Sequence, residues 1–193
     1  VEDVINKKNT DKIFDNKIIK VIKSLHDVYL ILEILREKRG ALNLELPERK
    51  ILFNDSGWPI KIKKIYGLTS NKIIEELMIL ANVSAAEEIL RYNYPAIYRI
   101  HEPPSPEKYK SLIDIIGIPL ANVLIGKVPH PILMNKILEN TKQTADYDMI
   151  NHSILRSQSQ AKYHNENKSH FGLALKNYVH FTSPIRLSLI HIS

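Results

Sequence analysis

The residues best suited to chemistry lie near the end of the chain, in the segment HFGLALKNYVHFTSPIR at residues 170–186. Arg186 follows a turn-forming run that contains Thr182, Ser183 and Pro184. A guanidinium held by a stiff turn, with hydroxyl and backbone N–H groups beside it, can bind a phosphate in bidentate geometry. From these residues alone, two interpretations stay open for Arg186: a phosphate-binding arginine and an ordinary surface arginine.

Carboxylates that could assist catalysis or hold a metal ion occur in two places. Glu75 and Glu76 are adjacent in the apolar run IIEELMILAN, so on a helix they point about 100° apart and only one can easily share a face with a ligand. We expect both to face solvent, because glutamate is seldom buried without a partner. Asp146 and Asp148 would diverge on a helix and indicate a polar first turn, not a metal site.

Several other chemistries are not indicated. Eight histidines occur without any cysteine, and none shows the His-Glu-x-x-His spacing of a zinc enzyme. His170 and His180 are too loosely spaced to specify a metal, so we expect them to hydrogen-bond or to stack. No glycine-rich phosphate loop appears, and Ser183 lacks the Gly-x-Ser-x-Gly setting of a hydrolase nucleophile.

Composition limits the class of protein. A chain of 193 residues with 44% hydrophobic and 25% charged residues forms one domain or a large part of one. The absence of cysteine and of any apolar run long enough to span a bilayer predicts a soluble, cytoplasmic protein without a membrane partner. The net charge of +6 is compatible with a polyanionic partner, but the Ile-, Lys- and Asn-rich usage expected of AT-rich coding DNA is the favoured explanation.

The hydrophobic periodicity predicts an α+β fold in which antiparallel strands are surrounded by helices. Helices are predicted at residues 24–39, 69–91, 105–117, 132–140 and 147–160. Strands are predicted in ALNLEL, KILFN and PIKIKKI, which form a small meander, and in PAIYRIH. The helix stripes expected to face the core contain Leu25, Val28, Tyr29, Leu32 and Leu35, and then Ile73, Leu77, Leu80, Ala81 and Ile89.

Five blocks of sequence, taken together, resemble one known family. They are RGALNLELPERK (39–50), IIEELMILANVSAAE (73–87), YRIHEPPSPEK (98–108), LRSQSQAKYHNENKSHFGLAL (155–175) and YVHFTSPIR (178–186). In order and spacing they are similar to the catalytic domain of ribonuclease II/R-type (RNB-type) exoribonucleases, most of all to its bacterial ribonuclease R branch.

The resemblance implies an activity and a set of partners. Enzymes of this family hydrolyse single-stranded RNA from 3′ to 5′ to nucleoside 5′-monophosphates, and Mg²⁺ activates the attacking water and stabilises the leaving oxygen. The family fold is a barrel-centred α+β domain with a narrow channel, and the full-length enzyme is expected to be a monomer. The alternative is a non-catalytic RNA-binding or interaction module that keeps the same scaffold.

The same resemblance implies roles for particular residues. Arg186 corresponds to an arginine that contacts the phosphate beside the scissile bond, and Glu75 to an acidic residue that contacts the 3′-terminal nucleotide. Leu44 stands where relatives often have a phenylalanine against the last base, so base stacking there is expected to be weaker. The residues that resemble the channel wall, with an architectural role, are His170, Phe171, Gly172, Thr182 and Ser183.

The chain departs from the family pattern in three ways. The metal-binding aspartate cluster of the family lies N-terminal to the residues present, and Asp3, Asp11 and Asp15 do not reproduce its spacing. We therefore expect residues 1–186 to be a partial catalytic domain that holds no Mg²⁺ and is inactive alone. Residues 187–193, LSLIHIS, leave the family pattern abruptly and are interpreted as a truncation artefact, with an unusual natural ending as the alternative. Ser169 replaces a usual glycine.

Overall fold

The computed structural model of the chain describes residues 1–6, 15–65 and 67–183. The described helices are α1 (Glu2–Ile5), α2 (Asn16–Arg39), α3 (Thr69–Arg91), α4 (Pro106–Ile116), α5 (Ile118–Ala121), α6 (Pro131–Thr141) and α7 (Tyr147–Ser157). The described strands are β1 (Glu48–Phe53), β2 (Pro59–Ile65), β3 (Tyr98–Ile100) and β4 (Lys162–His164). The mixed helix and strand content confirms the predicted α+β class.

The chain divides into two compact units, and each takes part of α2 and of α3. The first unit consists of Val1–Leu32 and Glu45–Glu76, and the second of Glu33–Leu44 and Leu77–Ser193. None of the helices in the described ranges is both long enough and apolar enough to cross a bilayer.

In the first unit, the side chain of Glu2 caps the N-terminus of α3. One of its carboxylate oxygens accepts a hydrogen bond from the backbone N–H of Ser70 at 2.6 Å. The first N–H groups of a helix have no partner within the helix, and the positive end of the helix dipole favours a carboxylate there. This hydrogen bond lowers the pKa of Glu2, as expected for an acceptor that caps a helix.

Strands β1 and β2 form an antiparallel hairpin with two contrasting faces. The side chain of Asn54 organises its turn, because its Oδ1 accepts hydrogen bonds from the N–H groups of Ser56 and Trp58 at 3.1 and 2.8 Å. Ile51 pairs with Ile62, so by strand alternation one face is mainly apolar, and the other carries Lys50, Lys61 and Lys63. The apolar face is formed by Ile51, Phe53, Ile60 and Ile62, all of them exposed.

The second unit contains a helical core. Side chains from one face each of α4, α6 and α7 pack together with Leu124 from the turn after α5. Ser105 caps the start of α4, where its Oγ accepts a hydrogen bond from the N–H of Lys108 at 3.4 Å, and Gly117 ends the helix with a φ of 76°. The buried members of this core are Leu42, Tyr109, Leu112, Ile116, Ala121, Leu124, Met134, Ile137, Leu138, Ile150 and Ile154.

A short sheet in the same unit carries the segments that bear on function. β3 pairs antiparallel with β4, and Tyr98 also forms a bridge with Val179. The backbone N–H of Arg99 donates to the carbonyl of Tyr178 at 2.9 Å. β3 therefore lies between β4 and the segment that begins at Tyr178, which places the last described part of the chain against the sheet.

Most predicted elements are confirmed, and one strand prediction is wrong. The helices α3, α4, α6 and α7 and the strands β1 to β3 occur where the patterns place them. The segment ALNLEL is irregular instead of extended in a sheet, because the side chain of Asn135 bonds both the carbonyl of Ala41 at 2.8 Å and the N–H of Asn43 at 3.0 Å. These backbone groups would otherwise be available to a neighbouring strand.

The helix boundaries and stripes also need correction. α2 begins at Asn16, eight residues earlier than predicted, although it ends before Gly40 as expected. Tyr29 is buried, but Leu25, Val28 and Leu35 are exposed, because no described residue covers that stripe. On α3, Leu80 is exposed while Ile79 is buried. Strand β4 was not predicted at all.

The bare face of the hairpin predicts a solubility effect. Ile60 and Ile62 are 66% and 65% exposed, so replacing both with threonine should leave the thermal midpoint within a few degrees while reducing aggregation measured by light scattering. The matched change Ile100→Thr, at a fully buried position of β3, should cost about 2 kcal/mol or more. Equal destabilisation by both changes would show that the hairpin face is covered in the folded protein.

Candidate functional site

Six rings form a continuous row beside the short sheet of the second unit, which we call the histidine–aromatic row. In order along the row they are Phe171, His101, His170, Tyr178, His180 and Tyr163. Neighbouring ring centroids lie 5.1 to 5.9 Å apart, mostly edge to face. The guanidinium of Arg99 covers the ring of Tyr163 at 4.7 Å and ends the row with a cation–π contact.

His101 is the most constrained ring of the row. Its Nδ1 accepts a hydrogen bond from the backbone N–H of Gly172 at 2.9 Å, and its Nε2 lies 2.9 Å from the carbonyl oxygen of Ser159. Because a carbonyl only accepts, Nε2 must carry the proton and donate it, so the ring is neutral. Burial of the ring lowers the pKa of His101, and the charge on Arg99 lowers it further.

His170 is held in the same way by the turn that follows it. Its Nδ1 accepts the N–H of Leu173 at 3.2 Å, and its ring packs against His101 and Tyr178. Burial, with a smaller contribution from His101, lowers the pKa of His170 to about 3. The lowered pKa values keep His170 and His101 uncharged at neutral pH, and the hydrogen bonds between their ring nitrogens and the backbone favour an architectural role for both.

The turn at residues 169–175 has a backbone that only certain side chains permit. Ser169 adopts a left-handed φ of 63°, which is uncommon for a residue other than glycine. A Cβ on Gly172 would lie 3.0 Å from Nδ1 of His101, so glycine allows the close approach of backbone to ring. Arg39 supports the turn from α2, because its Nε donates to the carbonyl of Leu173 at 2.9 Å.

Asn82 is a functional candidate that the sequence interpretation missed. It lies on α3 and is only 3% exposed. Its Oδ1 accepts hydrogen bonds from the N–H and the hydroxyl of Thr182 at 2.9 and 3.1 Å, and its Nδ2 donates to the hydroxyl of Tyr178 at 3.2 Å. A single asparagine in the otherwise apolar run LMILANV was the available signal.

The remaining predicted residues are distributed unevenly. Thr182 and Ser183 follow the row directly and are half-buried. Leu44 and Phe171 are partly buried and pack against the helical core, so Leu44 is not a freely exposed contact. Arg186 lies outside the described residues, as do Asp11 and the tail at 187–193.

One of the two glutamates contradicts the expectation that both face solvent. Glu75 is exposed, whereas Glu76 is only 7% exposed. Adjacent helical residues point in different directions, so the face of α3 that buries Ile73 also buries Glu76 and leaves Glu75 outside. The pair at 146 and 148 follows its prediction, with Asp148 in the first turn of α7.

The described residues do not present a metal-binding group. Among residues 1–6, 15–65 and 67–183, no three His, Asp or Glu side chains converge as ligands would. In the row, both nitrogens of His101 and Nδ1 of His170 already bond to the backbone, and Nδ1 of His180 lies 2.7 Å from the hydroxyl of Tyr163, so these four nitrogens are already engaged.

The sequence of this chain is similar to that of a known family. The family model described as "RNB domain" matches residues 1–187. Ribonuclease R of Escherichia coli (strain K12) is 39% identical over 172 residues, which cover 88% of this chain but 21% of the relative. The chain thus spans about a fifth of the length of that relative.

Two solved structures show the same fold. Mycoplasma genitalium RNase R in complex with ribose-methylated single-stranded RNA is 27% identical with a TM-score of 0.79, and the match covers 94% of this chain and 28% of that one. The same enzyme in complex with double-stranded RNA gives 26% identity and a TM-score of 0.77, covering 98% and 35% of the two chains.

The low pKa of His170 predicts a pH-dependent stability. The pKa of a histidine in the unfolded chain is about 6.5, whereas the pKa of His170 in the folded chain is about 3. Between these two pH values the unfolded chain binds a proton at this position and the folded chain does not. The free energy of unfolding should therefore fall with decreasing pH in this window, by about 1.4 kcal/mol per pH unit from this group. Urea unfolding at pH 7, 6, 5 and 4 measures the slope.

Two variants isolate this contribution. His170→Asn keeps an acceptor for the N–H of Leu173 but removes the titrating ring, so it should flatten the slope. His152→Asn changes an exposed histidine on α7 and should not. An unchanged slope in His170→Asn would contradict the assignment.

Proposed function

The chain belongs to the RNB-domain family, and we propose on that basis that it forms part of a 3′-to-5′ exoribonuclease that hydrolyses RNA to nucleoside 5′-monophosphates. The resemblance found in the sequence is confirmed by the match over residues 1–187. The observation that carries the proposal is the 39% identity to ribonuclease R of E. coli across 172 residues.

We propose that single-stranded RNA runs past the histidine–aromatic row and the segment that follows it. The half-buried rings of Phe171, His180 and Tyr163 offer faces or edges to bases, and base–aromatic stacking is sequence-tolerant. Thr182 and Ser183 supply polar groups after the row, and Arg186 is proposed to contact the phosphate beside the scissile bond. The RNA-bound Mycoplasma genitalium enzyme, with TM-score 0.79, supports this choice of partner.

Two further residues complete the proposed substrate contacts. Glu75 is proposed to contact the 3′-terminal nucleotide, and its exposure on α3 is compatible with that contact. Leu44 is proposed to contact the last base only through its partly exposed edge, because the rest of the side chain packs against the helical core.

Mg²⁺ is the proposed cofactor of the complete enzyme, where it would stabilise charge on the reacting phosphate. The donor set of this chain does not fit it, since no group of three His, Asp or Glu side chains converges among the described residues. We therefore propose that this chain contributes substrate-binding groups and not the metal ligands. The complete enzyme is proposed to act as a cytoplasmic monomer, in keeping with the absence of cysteine.

A second candidate function is a non-catalytic RNA-binding module. The observation that favours it is the same lack of convergent metal ligands among the described residues. An aspartate cluster encoded upstream of Val1 would favour the enzyme, whereas a start codon without such a cluster would favour the module.

The chain by itself should not hydrolyse RNA. Incubation with uniformly labelled single-stranded RNA and Mg²⁺ should release no mononucleotides, because phosphoryl transfer needs ions that the described residues do not position. Gel analysis over time, with E. coli ribonuclease R as the positive control, measures this. Steady mononucleotide release from a preparation free of contaminating nuclease would overturn the expectation.

The role of Arg186 can be tested in a chimera. The matching segment of E. coli ribonuclease R is replaced by residues of this chain, and Arg186→Ala should then lower kcat far more than RNA affinity, by roughly a hundredfold or more. Arg186→Lys should restore only part of the activity, because a point charge does not reproduce the planar fork.

The control variant is Lys127→Ala, which also removes one positive charge, at an exposed position in the turn after α5. It should leave turnover unchanged. An Arg186→Ala chimera that loses affinity and turnover equally, with an unchanged single-turnover rate, would argue against a contact to the reacting phosphate.

A further inference from the structure

Asn82 makes an unusual set of contacts for an asparagine in the middle of a helix. It is almost completely buried, and one oxygen receives both hydrogen-bond donors of Thr182, a residue one hundred positions later in the chain. A buried amide must have its partners satisfied, so this arrangement is costly to lose on either side.

The contacts of Asn82 differ in kind. The bond from its Nδ2 to the hydroxyl of Tyr178 joins α3 to a buried ring of the row. The two bonds to Oδ1 act on Thr182, three residues after Val179, where this segment forms its bridge with Tyr98. Asn82 therefore holds the chain at a position beyond that bridge.

Thr182 is also close in sequence to the groups proposed to meet RNA. Ser183 follows it directly, and Arg186 is four residues further, within at most about 14 Å along an extended chain. A small displacement of a reacting group is enough to slow catalysis strongly. A side chain that holds Thr182 in place therefore limits the positions open to the residues that follow it in the chain.

We propose that Asn82 is a positioning residue that holds the Thr182–Ser183 segment in place, and that the phosphate contact proposed for Arg186 depends on this for turnover. The inference rests on the proposed function, because it gives Asn82 an effect only through groups that contact RNA. It assigns no contact between Asn82 and substrate.

The first experiment tests the hydrogen bonds in the chain itself, without any activity. The amide of Thr182 should exchange slowly with deuterium in the unchanged chain and at least tenfold faster in Asn82→Ala, because its acceptor is removed. The amide of Arg99, which donates to Tyr178, is the internal reference and should keep its protection. Asn151→Ala removes another buried asparagine, on α7, and should leave Thr182 protected.

The second experiment measures turnover in the E. coli chimera. Asn82→Ala should lower kcat roughly ten- to a hundredfold with little change in KM, and Asn82→Ala with Arg186→Ala should be no slower than Arg186→Ala alone. Thr182→Val, which removes only the hydroxyl bond, should give a smaller loss of the same kind. Asn151→Ala, which removes a buried asparagine of α7 that has no proposed role in RNA binding, should lower stability without lowering kcat in the folded fraction.

The outcomes separate the two proposals. Normal kcat in Arg186→Ala would refute the proposed role of Arg186 and with it the route by which Asn82 acts. A slow Arg186→Ala enzyme together with normal kcat in Asn82→Ala would overturn the positioning role alone. If Asn82→Ala fails to fold, Thr182→Val takes its place in the test. If Thr182→Val and Arg186→Ala then lower kcat independently, so that their effects multiply in the double variant, the inference is contradicted.

Discussion

The buried ring of His101 is the constraint on which the second unit most depends. Its two nitrogens bond to the N–H of Gly172 and the carbonyl of Ser159, and its own backbone bonds to Ser169 and Phe171. One side chain thus joins the end of β3, the residues just after α7 and the turn at 169–175. Because both ring nitrogens are used, any change in protonation or size at this position breaks contacts with two separate segments.

The irregular segments of this unit share one physical solution. Each has backbone groups that no strand or helix satisfies, and in each a buried or half-buried side chain from a distant element takes them: His101 for Gly172, Asn135 for Ala41 and Asn43, and Asn82 for Thr182. Unpaired backbone groups are costly inside a protein. Some residues proposed to meet RNA, such as Leu44, Phe171 and Thr182, thus lie in irregular segments that hydrogen bonds from distant side chains hold in place, which suits a site that must keep groups in fixed positions.

The hairpin of the first unit depends on local contacts, unlike the irregular segments of the second unit. Its turn and register are formed locally, by the side chain of Asn54 and by the pairing of Ile51 with Ile62. Its apolar face is nevertheless exposed, whereas isoleucine side chains of similar size in β3 and α7 are fully buried. Local pattern therefore forms the strands, but the pattern alone does not say what covers them.

The sequence by itself determined the features that depend on neighbours along the chain. These include the beginning of α4 at Ser105, the ends of α2 and α4 at Gly40 and Gly117, the strands β1 and β2, and the RNB-family blocks. Caps, turns and alternating strands are decided by residues a few positions apart, so a sequence pattern predicts them.

Only the tertiary structure decided the contacts between distant residues. The irregular course of ALNLEL depends on Asn135, 92 residues after Asn43, and the placement of Gly172 depends on His101, 71 residues earlier. The role of Asn82 depends on Thr182, 100 residues later, and the burial of Glu76 beside exposed Glu75 depends on which face of α3 is covered. A hydrogen bond or a buried face needs a partner brought near by the whole fold, and no local periodicity encodes where that partner is.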